Sequence, residues 1–371
     1  MRHLYAVVVS EQVRERIRRL VREQGPITFA DYMEAALYGP GGFYMGTPIG
    51  AEGDFVTSPH VHPVFSRLVG IGLEELWTVL GRPRPFRLVE MGAGDGTLAG
   101  ELVAGFARGG IDVEYTAVEL GTQARERLAA VTPHVRTRLA DDERLDPGVL
   151  IANELLDNLP FRRVRRRGDT LAEVRVGLDG DRLVEIEVAA DDELTTIAPS
   201  LRGETEAVIP TGAFAFVDEL ARIFRRGYAV LIDYGSNGPQ AGEVHGYRGH
   251  RVVRDILADP GSTDVTAGVD LRALADRARA AGLVSFGTVS QEAALRALGF
   301  EEWMRDELAH QGELLNAGRG SEAARTWDGR SRARMLVEGS GLGRLRWLVL
   351  ATPDVPEPAW LVRARLGPSG R

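Results

Sequence analysis

Apolar and polar positions change rhythm twice along this chain. Over residues 10–24, Val13, Ile17, Leu20 and Val21 recur at helical spacing, with Ser10 as the expected cap and Gly25-Pro26 as the stop. Thr28, followed three positions later by Asp31, predicts a capping box that opens a second helix ending near Tyr38. A glycine-rich turn over residues 39–46 comes next. Ser58-Pro59 then predicts the start of a long helix carrying Val64, Phe65, Leu68, Val69, Leu73, Leu76 and Trp77. From residue 86 short apolar runs alternate with helical repeats. Strands are predicted at 87–91, 113–119, 135–139 and 148–153, with helices ending near 107 and spanning 123–130. This alternation predicts an α/β fold with a parallel, doubly wound sheet.

Residues 161–211 interrupt that rhythm. Alternating segments at 171–178 and 182–188 flank Asp179-Gly180 and predict an inserted antiparallel β-hairpin. The sheet resumes at 228–233 and 283–289, and a last strand at 345–351 follows a helical stretch near 301–315. The tail after Pro353 is expected to fray. The chain thus divides into a helical N-terminal segment with covering loops (1–60), a first half of the core (61–160), the inserted hairpin (161–211) and a second half of the core with substrate-side helices (212–371).

Composition narrows the chemistry. The 371 residues include 45 basic side chains, all arginine, against 53 acidic ones, and no cysteine. Without cysteine there is no disulfide framework, thiolate nucleophile or iron–sulfur cluster. Without lysine there is no Schiff base and no P-loop lysine. A net charge of −8 argues against a nucleic-acid partner. The apolar run at residues 4–9 is too short for a signal peptide, and no run reaches the roughly 18 residues that span a bilayer. A cytoplasmic protein with no membrane partner is expected. His60 and His62 have a two-residue spacing but no acidic cluster nearby, so no metal site is expected.

The first strand runs into Gly92-Ala93-Gly94-Asp95-Gly96, a turn that lets a ligand approach the backbone at a helix start. Dinucleotides and S-adenosylmethionine both use such loops. The spacing lacks the third glycine of the dinucleotide fingerprint. Glu90 ends the strand and Asp95 sits inside the loop. Carboxylates beside a pyrophosphate would repel it by several kcal/mol at an effective dielectric of about 20, whereas a sulfonium and an ammonium are stabilised. Glu119, which ends the second strand 23 residues after Gly96, is placed to accept the ribose hydroxyls. Asp141 and Asp142 follow the third strand, where they could reach an adenine amino group. The fourth strand leads into Asn153-Glu154-Leu155-Leu156-Asp157, at the strand end that faces the ligand crevice.

Several blocks together resemble the MidA-type methyltransferases, whose mitochondrial relatives are arginine methyltransferases acting in assembly of respiratory complex I. The resemblance spans roughly residues 28–350. Its blocks include Tyr38-Gly39-Pro40-Gly41-Gly42-Phe43-Tyr44, Gly53-Asp54-Phe55-Val56-Thr57-Ser58-Pro59, the glycine loop and Ala152-Asn153-Glu154-Leu155-Leu156-Asp157-Asn158-Leu159-Pro160. Ile232-Asp233-Tyr234-Gly235, Gly246-Tyr247-Arg248-Gly249-His250 and Asp264-Val265-Thr266-Ala267-Gly268-Val269-Asp270 complete the order. The resemblance implies a Rossmann-like, seven-stranded sheet that binds S-adenosyl-L-methionine through Gly92, Gly94, Gly96 and Glu119, with Thr57 and Ser58 closing over its methionine end. It also implies methyl transfer to a protein side chain. Two segments, residues 242–247 and 340–347, depart from the family's pattern where the acceptor pocket is expected.

If the acceptor is a guanidinium, Glu154 and Asp157 are the expected catalytic pair. If it is a hydroxyl or carboxyl of a peptide or small molecule, His250 and Tyr247 become the candidates. A cofactor-binding assembly factor without catalysis is the third alternative. The basic run over residues 162–167 is expected to be either a charged strand edge or a dock for an acidic partner.

Overall fold

The computed structural model describes residues 2–46, 57–198, 206–238, 244–249 and 251–367. Seven strands form the main sheet: β1 (Phe86–Met91), β2 (Val113–Val118), β3 (His134–Arg136), β4 (Gly148–Asn153), β5 (Gly227–Asp233), β6 (Val284–Ser290) and β7 (Arg346–Ala351). Their spatial order is β3-β2-β1-β4-β5-β7-β6. Pairing is parallel except for β7, which runs antiparallel to both β5 and β6. The apolar runs in β4 and β5 suit strands covered on both faces. Alternate residues sort onto two cores: Leu88, Val149, Ile151 and Val230 pack on one face, Val89, Leu150, Ala152 and Leu231 on the other. The chain order reverses direction between β1 and β4, which opens a crevice at their carboxyl ends. Among the described residues no helix is long and apolar enough to cross a membrane.

Several elements differ from expectation, each for a physical reason. The first helix spans Arg2–Gln24, so Ser10 lies inside it, buried, and its hydroxyl donates to Pro260 O (3.0 Å) rather than capping. The helix expected from Ser58 is split into Ser58–Val61 and Val64–Val79. His62 precedes Pro63 and is held extended (φ −162°, ψ 139°), as the pyrrolidine ring demands of its neighbour. The tail does not fray but forms a helix, Ala359–Leu366, with Trp360 and Leu361 buried in the main core. The capping box at Thr28 forms as expected, and its helix continues as a π-helix to Tyr38.

The insertion is larger than a hairpin. Thr170–Asp179 and Arg182–Ala189 do pair across Gly180, which takes the left-handed conformation (φ +58°). They belong to a five-stranded sheet with Arg162–Arg167, Glu206–Ile209 and the two-residue strand Ile27–Thr28. The N-terminal segment and the insertion therefore share one sheet and one core, in which Ile17, Phe29 and Tyr32 meet Phe161, Val176 and Val208. The arginine run is neither an edge nor a free dock. Its strand lies between two others, Arg162 is bonded to Glu173 (2.6 Å), and Arg163 and Arg165 each bond Glu206 (both 2.6 Å).

Candidate active site

A cavity of about 960 Å³ opens at the carboxyl ends of β1, β4 and β5. Its first half is built from the glycine loop. Gly92, Gly94 and Gly96 have φ of +69°, +55° and +86°, values that side-chain-bearing residues seldom adopt. The amide of Gly94 donates to Glu119 Oε2 (2.9 Å) and that of Gly121 to Glu119 Oε1 (2.7 Å). Burial pushes the Glu119 carboxyl up and these amides pull it back. Each oxygen keeps lone-pair capacity, so the pair can accept two hydroxyl donors from the cavity.

Glu90 also lines the cavity but departs from the electrostatic expectation. It is 3% exposed and accepts from the Tyr115 hydroxyl (2.6 Å), and burial pushes its carboxyl up to about 8. It therefore holds its proton more firmly than an ordinary carboxyl and contributes less negative charge near neutral pH. Asp95 supplies that charge instead. Burial opposes its ionisation, but hydrogen bonds from His60 (3.0 Å) and Thr97 N (3.1 Å) outweigh it and hold the carboxyl low. His60 is a site residue that the histidine spacing concealed, because its partners are Thr57 Oγ1 (2.8 Å) and a loop 35 residues away. Thr57 lines the cavity, whereas the Ser58 side chain is turned away toward Gln291 and only its amide serves the site. Asp141 is surface-exposed and bonded to Arg138 (2.8 Å), outside the cavity lining.

The second half gathers carboxyls. Glu154 follows β4 in the left-handed conformation (φ +54°), one of two such non-glycine residues among those described. A side chain held there marks a position that the surroundings over-determine. Its Oε1 accepts from Ser58 N (3.1 Å) and Asn153 Nδ2 (3.2 Å); Oε2 has no partner among the described residues. Burial pushes this carboxyl up to about 7. Asp157 accepts from Thr266 Oγ1 (2.7 Å) and lies beside Asp233, which is fully buried and accepts from Tyr234 N (2.7 Å). Burial raises both, Asp233 more strongly because of the charge on Asp157, and a proton kept on Asp233 can be donated to Asp157. Asp264 accepts from the Tyr44 hydroxyl (2.8 Å) and Asn158 Nδ2 (3.1 Å), and burial pushes it up to about 7. Sequence spacing gave no sign of Asp233 or Asp264 because β5 and the strand Asp264–Ala267 reach the site from far along the chain. Tyr247 lines the cavity beside His245, ring centroids 6.3 Å apart; His250 lies outside the described residues.

Cationic ligands suit this chamber. Asn153 Oδ1 and Asp157 Oδ1 are buried acceptors with no hydrogen-bond partner among the described residues. The Asn153 amide orientation is fixed by its bond to Glu154, so Oδ1 is free to accept from an ammonium or guanidinium. Among the described residues no group of three or more His, Asp or Glu side chains is arranged to hold a metal ion.

Residues 68–289, more than half the chain, match a family model described as "Putative S-adenosyl-L-methionine-dependent methyltransferase". The chain belongs to this methyltransferase family. It is 29% identical to the protein arginine methyltransferase NDUFAF7, mitochondrial, of Bos taurus over 318 residues, covering 76% of this chain and 72% of the relative. The homologue from Drosophila melanogaster is 29% identical over 336 residues, covering 80% and 77%. A crystal structure from Burkholderia thailandensis, bound to S-adenosyl-homocysteine, has a TM-score of 0.81 at 26% identity and covers 96% of this chain and 95% of that one. This methyltransferase uses S-adenosylmethionine, and its seven-stranded sheet is the one the sequence resemblance implies. The orphaned acceptors and the ionised Asp95 fit a donor that carries positive charge.

Proposed function

We propose that this methyltransferase transfers a methyl group to the guanidinium of an arginine side chain in a protein. The observation that carries it is the set of carboxyls at the β4 and β5 ends, Glu154, Asp157 and Asp264, none of them ion-paired to an arginine among the described residues. A cationic acceptor is what such a set attracts. The names of the bovine and fly relatives point the same way.

Glu119 and the glycine loop hold the donor, with Asp95, His60 and Thr57 closing its methionine end. When bound, S-adenosylmethionine supplies an electrophilic methyl on a positively charged sulfur. Glu154 Oε2 and Asp157 would grip two N–H groups of the guanidinium and orient one nitrogen toward the donor. Bound there, the donor would give its methyl to that nitrogen and keep the electron pair of the broken S–C bond on sulfur. The displaced N–H proton passes to Glu154, whose carboxyl at about 7 is matched to that role near neutral pH. Residues 61–160 and 212–371 form the catalytic core, and Tyr38, Phe43, Tyr44, Thr57 and His60 of the N-terminal segment wall its cavity.

Incubating the protein with labelled donor and cell lysate, then hydrolysing and separating amino acids, tests this. Labelled methylarginine is the expected product. Label confined to small molecules would replace a protein acceptor by a metabolite.

A further inference from the structure

The acceptor half of the cavity also carries uncompensated positive charge. Among the described residues three arginines line the cavity: Arg138, Arg344 and Arg346. Arg138 is bonded to Asp141. The side chains of Arg344 and Arg346 make no hydrogen bond or ion pair with any described residue. The guanidinium of Arg344 lies 5.5 Å from the centroid of the Tyr234 ring, a face-on contact that leaves its N–H edges available. Arg346 opens β7 and is half-buried, in register with Asp233 of β5 and Ser290 of β6. Both therefore sit on the far side of β4 from Glu119, away from the donor half. They lie within residues 340–347, one of the two segments that depart from the family's sequence pattern.

Arg344 is exposed and Arg346 half-buried, so their N–H groups face solvent and the cavity, and a planar fork of donors favours a carboxylate. The same cavity is lined by Glu154, Asp157 and Asp264 of the carboxyl cluster. An acceptor arginine entering that cluster could not bring an acidic neighbour with it unless a cation met that neighbour first. We propose that Arg344 and Arg346 bind an acidic side chain of the protein acceptor close to the methylated arginine, so that the enzyme selects acid-flanked arginines. This deepens the arginine assignment made above and rests on it.

The test is a set of arginine peptides in which one Glu is walked over the three positions on either side of the arginine, each with a Gln counterpart. Methyl transfer is measured as kcat/KM, and peptide binding by fluorescence polarisation, for the wild type, R344Q, R346Q and the double variant. At one or more positions the Glu peptide should exceed its Gln partner by about tenfold, mostly through KM, with the ratio falling toward one in the double variant. Transfer to the peptides with equal Glu and Gln rates at every position would overturn the anion site and leave arginine as acceptor. Absence of transfer, with acid-dependent binding that the double variant loses, would remove arginine as acceptor and keep the anion site. Weakened donor binding in R344Q or R346Q with an unchanged Glu:Gln ratio would reassign these residues to the donor's carboxylate and sink the proposal.

Discussion

Along the Arg162–Arg167 strand of the inserted sheet, guanidiniums meet carboxylates of neighbouring strands, from Glu173 and Glu185 to Glu187 and Glu206. At the carboxyl ends of β4 and β5, Glu154, Asp157, Asp233 and Asp264 gather with no bonded arginine among the described residues. Both regions concentrate ionisable groups, and both are partly or wholly out of solvent. In the sheet Arg162, Arg163, Arg165 and Arg167 each have a carboxylate partner inside the chain, whereas Arg166 has none among the described residues. In the cavity the complement has to come from outside. The difference shows why density of charge is a poor guide to a site and compensation a better one.

The largest effect that would break the comparison lies in the sheet. Glu173 is fully buried between Arg162 and Arg175. Glu173→Ala takes the carboxylate from the Nε groups of Arg162 and Arg175, leaving Arg162 only its bond to Asp191 (2.6 Å), and should cost about 3–5 kcal/mol in denaturant unfolding, with little change in kcat for the protein that remains folded. In the cavity the balance is reversed: Glu154→Gln should lower kcat by on the order of 10²–10³-fold and keep the donor's Kd, measured by calorimetry, within a few fold. Glu119→Ala should act on the other half, weakening donor binding by about 1.5–3 kcal/mol.

A pH series sharpens the contrast. Glu154 and Asp264 are each pushed up to about 7 by burial, so below that pH they are neutral and cannot grip a cation. The kcat/KM is expected to rise with pH through about 7, and Glu154→Gln should change that limb. Stability should run the other way. These carboxyls hold protons in the folded state that the unfolded chain, near 4.5 and 3.8, releases. Their contribution is complete below those values and declines as pH rises through about 7. The smallest effect is expected at the exposed Asp141–Arg138 pair: Asp141→Ala should leave donor affinity unchanged and shift stability by no more than about 0.5 kcal/mol.

The sheet was legible because buried parallel strands write themselves as apolar runs: β1, β2, β4 and β5 lie within a residue or so of their expected bounds. Gly92, Glu119, Asn153 and Glu154 were legible because their positions follow from strand ends. Asp233 and Asp264 stood within blocks of the family resemblance but without a role, and His60 without a site, since each acquires its meaning from a partner brought close only by tertiary folding. The arginine run misled for the same reason. Its glutamates lie between 11 and 43 residues away, on strands whose pairing the local pattern does not specify. The tail helix was hidden by prolines that mark its start rather than an end, Pro358 standing at its N-cap.

The hydrogen bonds from Ser10 to Pro260 and from Tyr32 to Ile256 span 250 and 224 residues. During synthesis at about 5–20 residues per second, the opening helix therefore waits roughly 10–50 s for its counterpart to leave the ribosome. Ile17 and Val21 share a core with Phe29, Tyr32 and Val176, made earlier, whereas Val13 packs against Gly261 and is completed only then.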